Sequence, residues 1–397
     1  QFAPATGDKP DFFVRKSIDS VLSLKAETHN FPTTVEPFNG AATGTGGEIR
    51  DRMAGGRASV PLAGTAVYMT SYPRTAADRP WEQHSAARPW LYQTPRQILT
   101  KASNGASDFG NKFGQPLICG SVLTFEHEGK TGEPTYGFDK VIMLAGGVGY
   151  ARRSDAQKGT PEPGEEVVLL GGDNYRIGMG GGAVSSVNTG QYAGAIELNA
   201  VQRSNPEMQK RVENVIRTLS ESEDNPIISI HDHGAGGHLN CLSELVETTG
   251  GHFDLSTFPI GDETLSSKEI IGNESQERMG LLVKGDAVER IARIAERERA
   301  PMYVVGRTTD DMHLTFEEAG GDKPIDLALS DMFGSAPKTY MVDKHIDKTY
   351  PALSYDAARA EHYLDEVLQQ EGVACKDWLT NKVDRSVSGR VARPQCQ

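Results

Sequence analysis

Lys25, Glu27 and His29 stand at alternate positions in the run Leu22-Ser23-Leu24-Lys25-Ala26-Glu27-Thr28-His29. In a strand, alternate side chains share a face. The pattern predicts one face that buries leucines and another that presents an ammonium, a carboxylate and an imidazole side by side. Further on, Gly40-Ala41-Ala42-Thr43-Gly44-Thr45-Gly46-Gly47-Glu48-Ile49-Arg50-Asp51 sets glycine at 40, 44, 46 and 47 ahead of an Arg-Asp pair. A loop of that composition lets backbone N–H groups approach an anion closely. Together the segments read as a phosphate-and-metal site. Magnesium takes one or two carboxylates beside phosphate oxygens and water, and Glu27 and Asp51 can supply them. Lys25 can neutralise phosphate, and His29 can move a proton. The alternative is a polar strand edge with an ordinary salt bridge. The glycine run matches neither G-x-x-x-x-G-K-[ST] nor G-x-G-x-x-G.

Three further segments carry chemistry. His231-Asp232-His233-Gly234-Ala235-Gly236-Gly237 lies between a strand pattern and a helix pattern. Helix N-terminal amides favour anions, and Asp232 at the strand end can be a metal ligand; a tight turn with a capping aspartate is the plainer reading. The two histidines share a face only if the strand continues, which the following glycine opposes. Asn273-Glu274-Ser275-Gln276-Glu277-Arg278 suits hydrogen bonding to a polyhydroxylated ligand, although an exposed loop has the same composition. Gln202 precedes Asn205-Pro206, a helix start by pattern. Cys119, flanked by Leu117 and Ile118, reads as a small buried residue and a poor nucleophile.

The elements that must hold these residues follow from periodicity. Strands are predicted over 19–29, 62–70 and 140–145, the last ending in a turn at Gly146-Gly147. The stretch 74–115 carries an interrupted helical pattern. A polar, proline-bearing segment over 152–165 marks a domain boundary. Beyond it come strands at 167–170, 227–230, 280–284 and 302–307, and helices at 206–219, 238–249 and 286–299. This alternation argues for α/β and α+β layers. The predicted organisation is an irregular lead-in (1–16), an α/β domain (17–155), an α+β domain (156–345) and a linker with orphan elements (346–397): a helix near 354–370 and a strand near 384–392.

The 397 residues carry a net charge of −13, which argues against nucleic-acid binding by phosphate neutralisation. Any anionic ligand must be met locally. The four cysteines are dispersed, so a zinc site or disulfide framework is not expected, and a reducing cytoplasm fits. No run of 18 apolar residues occurs, so no membrane span is expected. The chain opens Gln1-Phe2 without methionine, which suggests a piece of something longer.

Lys25 to Asn30, Gly40 to Asp51, His231-Asp232 with Gly234 to Gly237, and Asn273 to Arg278 closely resemble the phosphoribosylformylglycinamidine synthase family, ATP-dependent amidotransferases of purine biosynthesis. Val201-Gln202-Arg203 with Asn205 to Met208, and Arg297 to Pro301, resemble its large single-chain form. The likeness runs from about residue 17 to the end. It implies an aminoimidazole-ribotide-synthetase-like α/β domain followed by an α+β domain, the first synthetase half alone, without the second half or the glutaminase. It implies ATP and Mg²⁺ as cofactors, and formylglycinamide ribotide and ammonia as partners in making an amidine from an amide. By this resemblance Glu27, Asp51 and Asp232 hold the metal. Lys25 and Gly40 through Asp51 meet nucleotide phosphates. His29 is catalytic, in proton transfer or in stabilising an iminophosphate. Thr28, His29, Asn30, Phe31, Arg50, Gln202, Glu274, Ser275 and Gln276 contact the ribotide. Phe31 departs from the pattern, since the family commonly has a second histidine there. The resemblance further implies that the fragment alone is inactive and that a homodimer can form through an exposed half-barrel face. Two alternatives stand beside it: another ATP-using member of the superfamily, or a half that binds nucleotide for structure only.

Overall fold

A computed structural model describes residues 2–4, 12–76, 79–87, 89, 92–345, 347, 349–380 and 386–389. Two large sheets, of four and seven strands among these residues, organise the chain. The first is built from β1 (Ser20–Thr28), β2 (Val60–Thr70), β3 (Leu117–Thr124) and β4 (Ile142–Arg152), in the order β1-β4-β2-β3. β4 pairs antiparallel with β1 and β2, while β2 and β3 run parallel. Helices α1 (Asn30–Val35), α2 (Pro37–Met53) and α3 (Pro95–Phe113) complete this half. α3 starts on a capping box at Thr94 and Gln97 and ends on Gly114 in the left-handed region.

The second sheet comprises β5 (Glu166–Leu170), β6 (Ile227–Asp232), β7 (Gly251–Asp254), β8 (Met279–Val283), β9 (Met302–Thr308), β10 (His313–Glu317) and β11 (Ile325–Ala328). Its order is β6-β8-β5-β9-β7-β10-β11, antiparallel except for β7 with β10. Both faces are covered, so its central strands are apolar throughout. Val168 and Leu170 face one cluster, which also takes Val212 to Leu219 of α4 (Pro206–Ser220) and Ile291 of α6 (Val288–Glu298). Val167 and Leu169 face the other, with Cys241 to Leu245 of α5 (Gly237–Leu245). Ile49, Met53, Phe109 and Phe113 of the first half join the former cluster, so the two halves share a core.

Several expectations are corrected. The leucines of β1 are not buried: Leu22 is 77% exposed and Leu24 74%. α2 and α3 cover the opposite face of the first sheet, packing on Ala66, Tyr68, Val122, Met143 and Ala145. Ile118, Leu123 and Cys119 are exposed as well, so Cys119 is not a buried small residue. Gly146-Gly147 is not a turn; β4 runs through it, where a Cβ would meet Lys25 O at 2.7 Å or Ala63 O at 2.6 Å. The lead-in contains a short strand pair, Phe2–Pro4 with Phe13–Arg15. Near the end, a helix over Ala360–Gln369 is present, while most of the strand expected near 384–392 lies outside the described residues.

Candidate functional site

The largest correction concerns the glycine-rich segment. Gly40 to Asp51 is not a loop but the body of α2. Its amides belong to the helical ladder, so Gly40, Ala41, Ala42, Gly44, Thr45, Gly46, Glu48 and Ile49, all buried, cannot cradle a phosphate through backbone N–H groups. The glycines serve close packing instead. A Cβ at Gly40 would collide with the Pro32 backbone, one at Gly44 would lie 2.9 Å from His29 Cβ, one at Gly46 would lie 2.7 Å from the Phe109 ring, and one at Gly47 would overlap Glu27 Oε1. α2 thereby lies directly against the end of β1. Glu48 is spent on structure: it pairs with Arg52 at 2.5 Å and accepts from Gln115 Nε2 at 2.7 Å.

A cavity of about 530 Å³ opens where the C-terminal end of β1 and the outer turn of α2 face β6 and the 273–278 segment. The first half contributes Lys25, Glu27, Thr28, His29, Asn30, Phe31, Thr43, Gly47, Arg50 and Asp51 to its wall. The second contributes Gln202, Asp232, Gly234, Ala235, Glu274 and Gln276. Ser275, also expected here, is buried behind the wall, where its carbonyl accepts from Arg278 Nε at 2.9 Å.

Charge is packed densely at one end. Lys25 Nζ lies 2.7 Å from Asp51 Oδ2, and Arg50 Nε 3.6 Å from Asp232 Oδ2. Burial, and then the Asp51 charge, push the pKa of Asp232 up; the same two causes raise Glu27. Among the described residues no group of three or more His, Cys, Asp or Glu side chains is arranged as it stands to hold a metal ion. Glu27, Asp51 and Asp232 are gathered, but Lys25 and Arg50 engage two of them. The donor set still suits a hard cation: three carboxylates brought close together repel one another, and a divalent ion relieves that repulsion.

His29 donates its backbone N–H to Met143 O at 2.9 Å, and its Nε2 is shielded from water without a hydrogen-bond partner among the described residues. Burial, and then Arg50, hold its pKa down at about 4, so the imidazole is neutral. His29 lines the cavity, and its neutral, unpartnered Nε2 can accept from or donate to a ligand once a small movement of the ring uncovers it. Asn30 Oδ1 accepts from Met143 N at 3.1 Å, which pins the strand end. Phe31 packs with Val35, Val184 and Ala200, under the Lys140 ammonium 5.7 Å from its ring centre.

On the far wall, Glu274 is enclosed rather than exposed. Its carboxylate accepts from Gln202 Nε2, from Gly236 N at 3.2 Å and from Gly182 N at 3.4 Å. Asn273, Gln276 and Arg278 are buried with it, so the segment is no exposed loop. Arg278, Asn273 and His238 all converge on Asn174 Oδ1. His233 turns inward to His238, with 2.9 Å between ring nitrogens, whereas His231 pairs with Glu244 at 2.8 Å. The two histidines therefore diverge, as the glycine after them foreshadows.

Residues outside the predicted set also line the cavity: Lys140, Gly181, Gly182, Ser185, Asn240 and Glu244. The sequence signals part of this wall by a further glycine run, Gly178-Met179-Gly180-Gly181-Gly182. Its close approach is required, because a Cβ at Gly178 would sit 2.7 Å from Glu274 Cβ.

Comparison with known proteins places this geometry. Residues 162–318 match the family model described as AIR synthase related protein, C-terminal domain. The chain is 40% identical over 389 residues to phosphoribosylformylglycinamidine synthase of Dictyostelium discoideum, covering 94% of this chain and 29% of that protein. It is 40% identical over 413 residues to the enzyme of that name from Homo sapiens, with 99% and 31% covered. The fold is similar to that of T. maritima PurL complexed with FGAR, at a TM-score of 0.66 and 23% identity, covering 88% of this chain and 53% of that one. The chain spans about three-tenths of the length of these curated relatives. Nearly the whole chain is therefore similar to one segment of the longer phosphoribosylformylglycinamidine synthases, and residues 162–318 within it match the AIR synthase related C-terminal domain.

Proposed function

We propose that this chain is the first synthetase half of a carbon–nitrogen ligase that converts formylglycinamide ribotide to formylglycinamidine ribotide with ATP and with ammonia from glutamine. The observation that carries this reading is the convergence of the family's motifs, drawn from both sheets, on one cavity. The structural neighbour T. maritima PurL, seen complexed with FGAR and, in a second structure, with ATP, supports ligands of these kinds. The division into domains at 17–155 and 156–345, with 346–397 leading into a second half, belongs to the same reading; the two sheets draw on 20–152 and 166–328.

In the reaction an amide oxygen attacks the γ-phosphorus of ATP. An O–P bond forms, the bond to the β-phosphate oxygen breaks and ADP leaves. Ammonia then adds to the activated carbon and inorganic phosphate departs with the oxygen. Phosphoryl transfer rests mainly on positioning and charge neutralisation. Lys25 and Arg50 supply cationic charge at the cavity end. Glu27, Asp51 and Asp232 would hold Mg²⁺ once Lys25 yields Asp51; the ion's contribution is to neutralise phosphate oxygens. His29, neutral at physiological pH, hydrogen-bonds the reacting amide through Nε2 and takes up a proton as ammonia adds. Gln202, Glu274 and Gln276 orient the ribotide. The bare face of the first sheet, carrying Leu22, Leu24 and Ile118, receives the second synthetase half in a full-length chain. A copy of the fragment can take that place. The free thiols Cys119, Cys241 and Cys375 suit a reducing compartment such as the cytoplasm, and no described helix is long and apolar enough to cross a membrane.

Calorimetric titration with formylglycinamide ribotide tests the assignment. Saturable binding to the wild type, lost in Arg50→Ala and Glu274→Ala, is expected. Equal binding by all three proteins would remove the ribotide from this cavity.

A further inference from the structure

Arg50 is nearly sealed in the cavity wall, and its closest carboxylate oxygen, on Asp232, is 3.6 Å away. Neutral amides do most of its solvation. Gln276 Oε1 accepts from Nη2, and Gln209 Oε1 accepts from Nη1 at 2.9 Å. Gln209 lies on the buried face of α4, beside Val212, Val215 and Ile216, and is 1% exposed. Its Nε2 donates to Gly46 O on α2 at 3.0 Å. That bond fixes the amide's direction. A carbonyl only accepts and a guanidinium only donates, so a flipped amide would fail both partners. Gly46 also keeps the space clear, since a Cβ there would lie 3.2 Å from Arg50 Nη1.

We propose that Gln209 is a positioning residue, which from the second half fixes the Arg50 guanidinium so that its planar fork presents a set face to the anionic ligand. It does not line the cavity and acts through Arg50 alone. The inference rests on the reading of Arg50 as a ligand-binding residue. It adds that correct placement of that cation depends on the docking of α4 onto α2.

The test uses the full chain with two substitutions. Gln209→Met keeps length and removes the acceptor; Gln209→Glu keeps the acceptor. The Arg50 Nε–H resonance, identified by its loss in Arg50→Lys, is expected to exchange slowly with water in the wild type and in Gln209→Glu, and to broaden or vanish in Gln209→Met. Affinity for formylglycinamide ribotide is expected to fall about tenfold in Gln209→Met, the scale of one hydrogen bond to a charged group, and by less than about threefold in Gln209→Glu. If Gln209→Met does not fold, Gln209→Asn, too short to bridge, carries the same expectation. A slowly exchanging Nε–H that persists in the apolar variant, or equal affinity losses in Met and Glu variants, overturns the proposal. If the ribotide binds neither wild type nor variants, the functional reading falls, and the Nε–H signal still decides the role of Gln209.

Discussion

Gly47 and Glu27 touch across the seam between α2 and β1: any carbon added to Gly47 would overlap Glu27 Oε1. The carboxylate can sit at the cavity edge only because the helix has no side chain there. Gly44 has the same relation to His29, with 2.9 Å to its Cβ. Glycine inside a helix is unfavourable by roughly 1 kcal/mol relative to alanine, and this helix carries four between residues 40 and 47.

Gly47→Ala is therefore expected to go against propensity. On helix preference alone it would stabilise the chain by about 1 kcal/mol. With Glu27 in the way, it should instead destabilise by about 1–3 kcal/mol, the usual range for overpacking, and weaken nucleotide binding. Thermal denaturation and calorimetry check both; a higher melting temperature with unchanged binding would contradict the packing account.

The neutral state of His29 sets a pH dependence. Its pKa is held at about 4, below the ordinary value of 6.5. A depressed value means that the unfolded chain binds the proton more readily. The stability associated with the neutral form is thus complete above pH 6.5 and is lost progressively as pH falls towards 4, by up to about 3 kcal/mol. His29→Gln should flatten the fall in melting temperature between pH 6.5 and 4. An unchanged slope would show that His29 is not the group responsible.

Leu22 and Leu24 on the open face of β1 predict self-association of the isolated fragment. Sedimentation of the wild type should show a concentration-dependent dimer, and Leu22→Lys with Leu24→Lys should shift it to monomer. A wild type that remains monomeric at high micromolar concentration would mean that this face needs its own second half.

Much of the site was legible in the sequence, because its chemistry lies in short runs. Lys25 and Glu27 alternate on β1, with His29 one residue beyond its end, and Asn205 with Pro206 starts α4 as expected. The misreadings share a cause. Four closely spaced glycines mean a loop when only local backbone freedom is weighed, yet in α2 they answer to β1, a partner distant in sequence. The leucines of β1 look like core until the covering face of the sheet is known. Asn273 to Arg278 has the polarity of a surface loop, and only the buried partners Asn174, Gln202 and His238 reveal an interior hydrogen-bond network. Gln209 gives no signal in its own neighbourhood, because its meaning lies in Gly46 and Arg50 on the other half.

The central claim is that both halves of the fold supply carboxylates to one magnesium–nucleotide site. Titrating the wild type, Asp51→Asn and Asp232→Asn with ATP, with and without Mg²⁺, tests it most directly, because Asp51 comes from α2 and Asp232 from β6. Magnesium-dependent binding in the wild type, weakened about tenfold or more when either aspartate is replaced, is the predicted result. Magnesium-dependent binding of full strength in Asp232→Asn would contradict the account, because the second half would then contribute nothing to the ion.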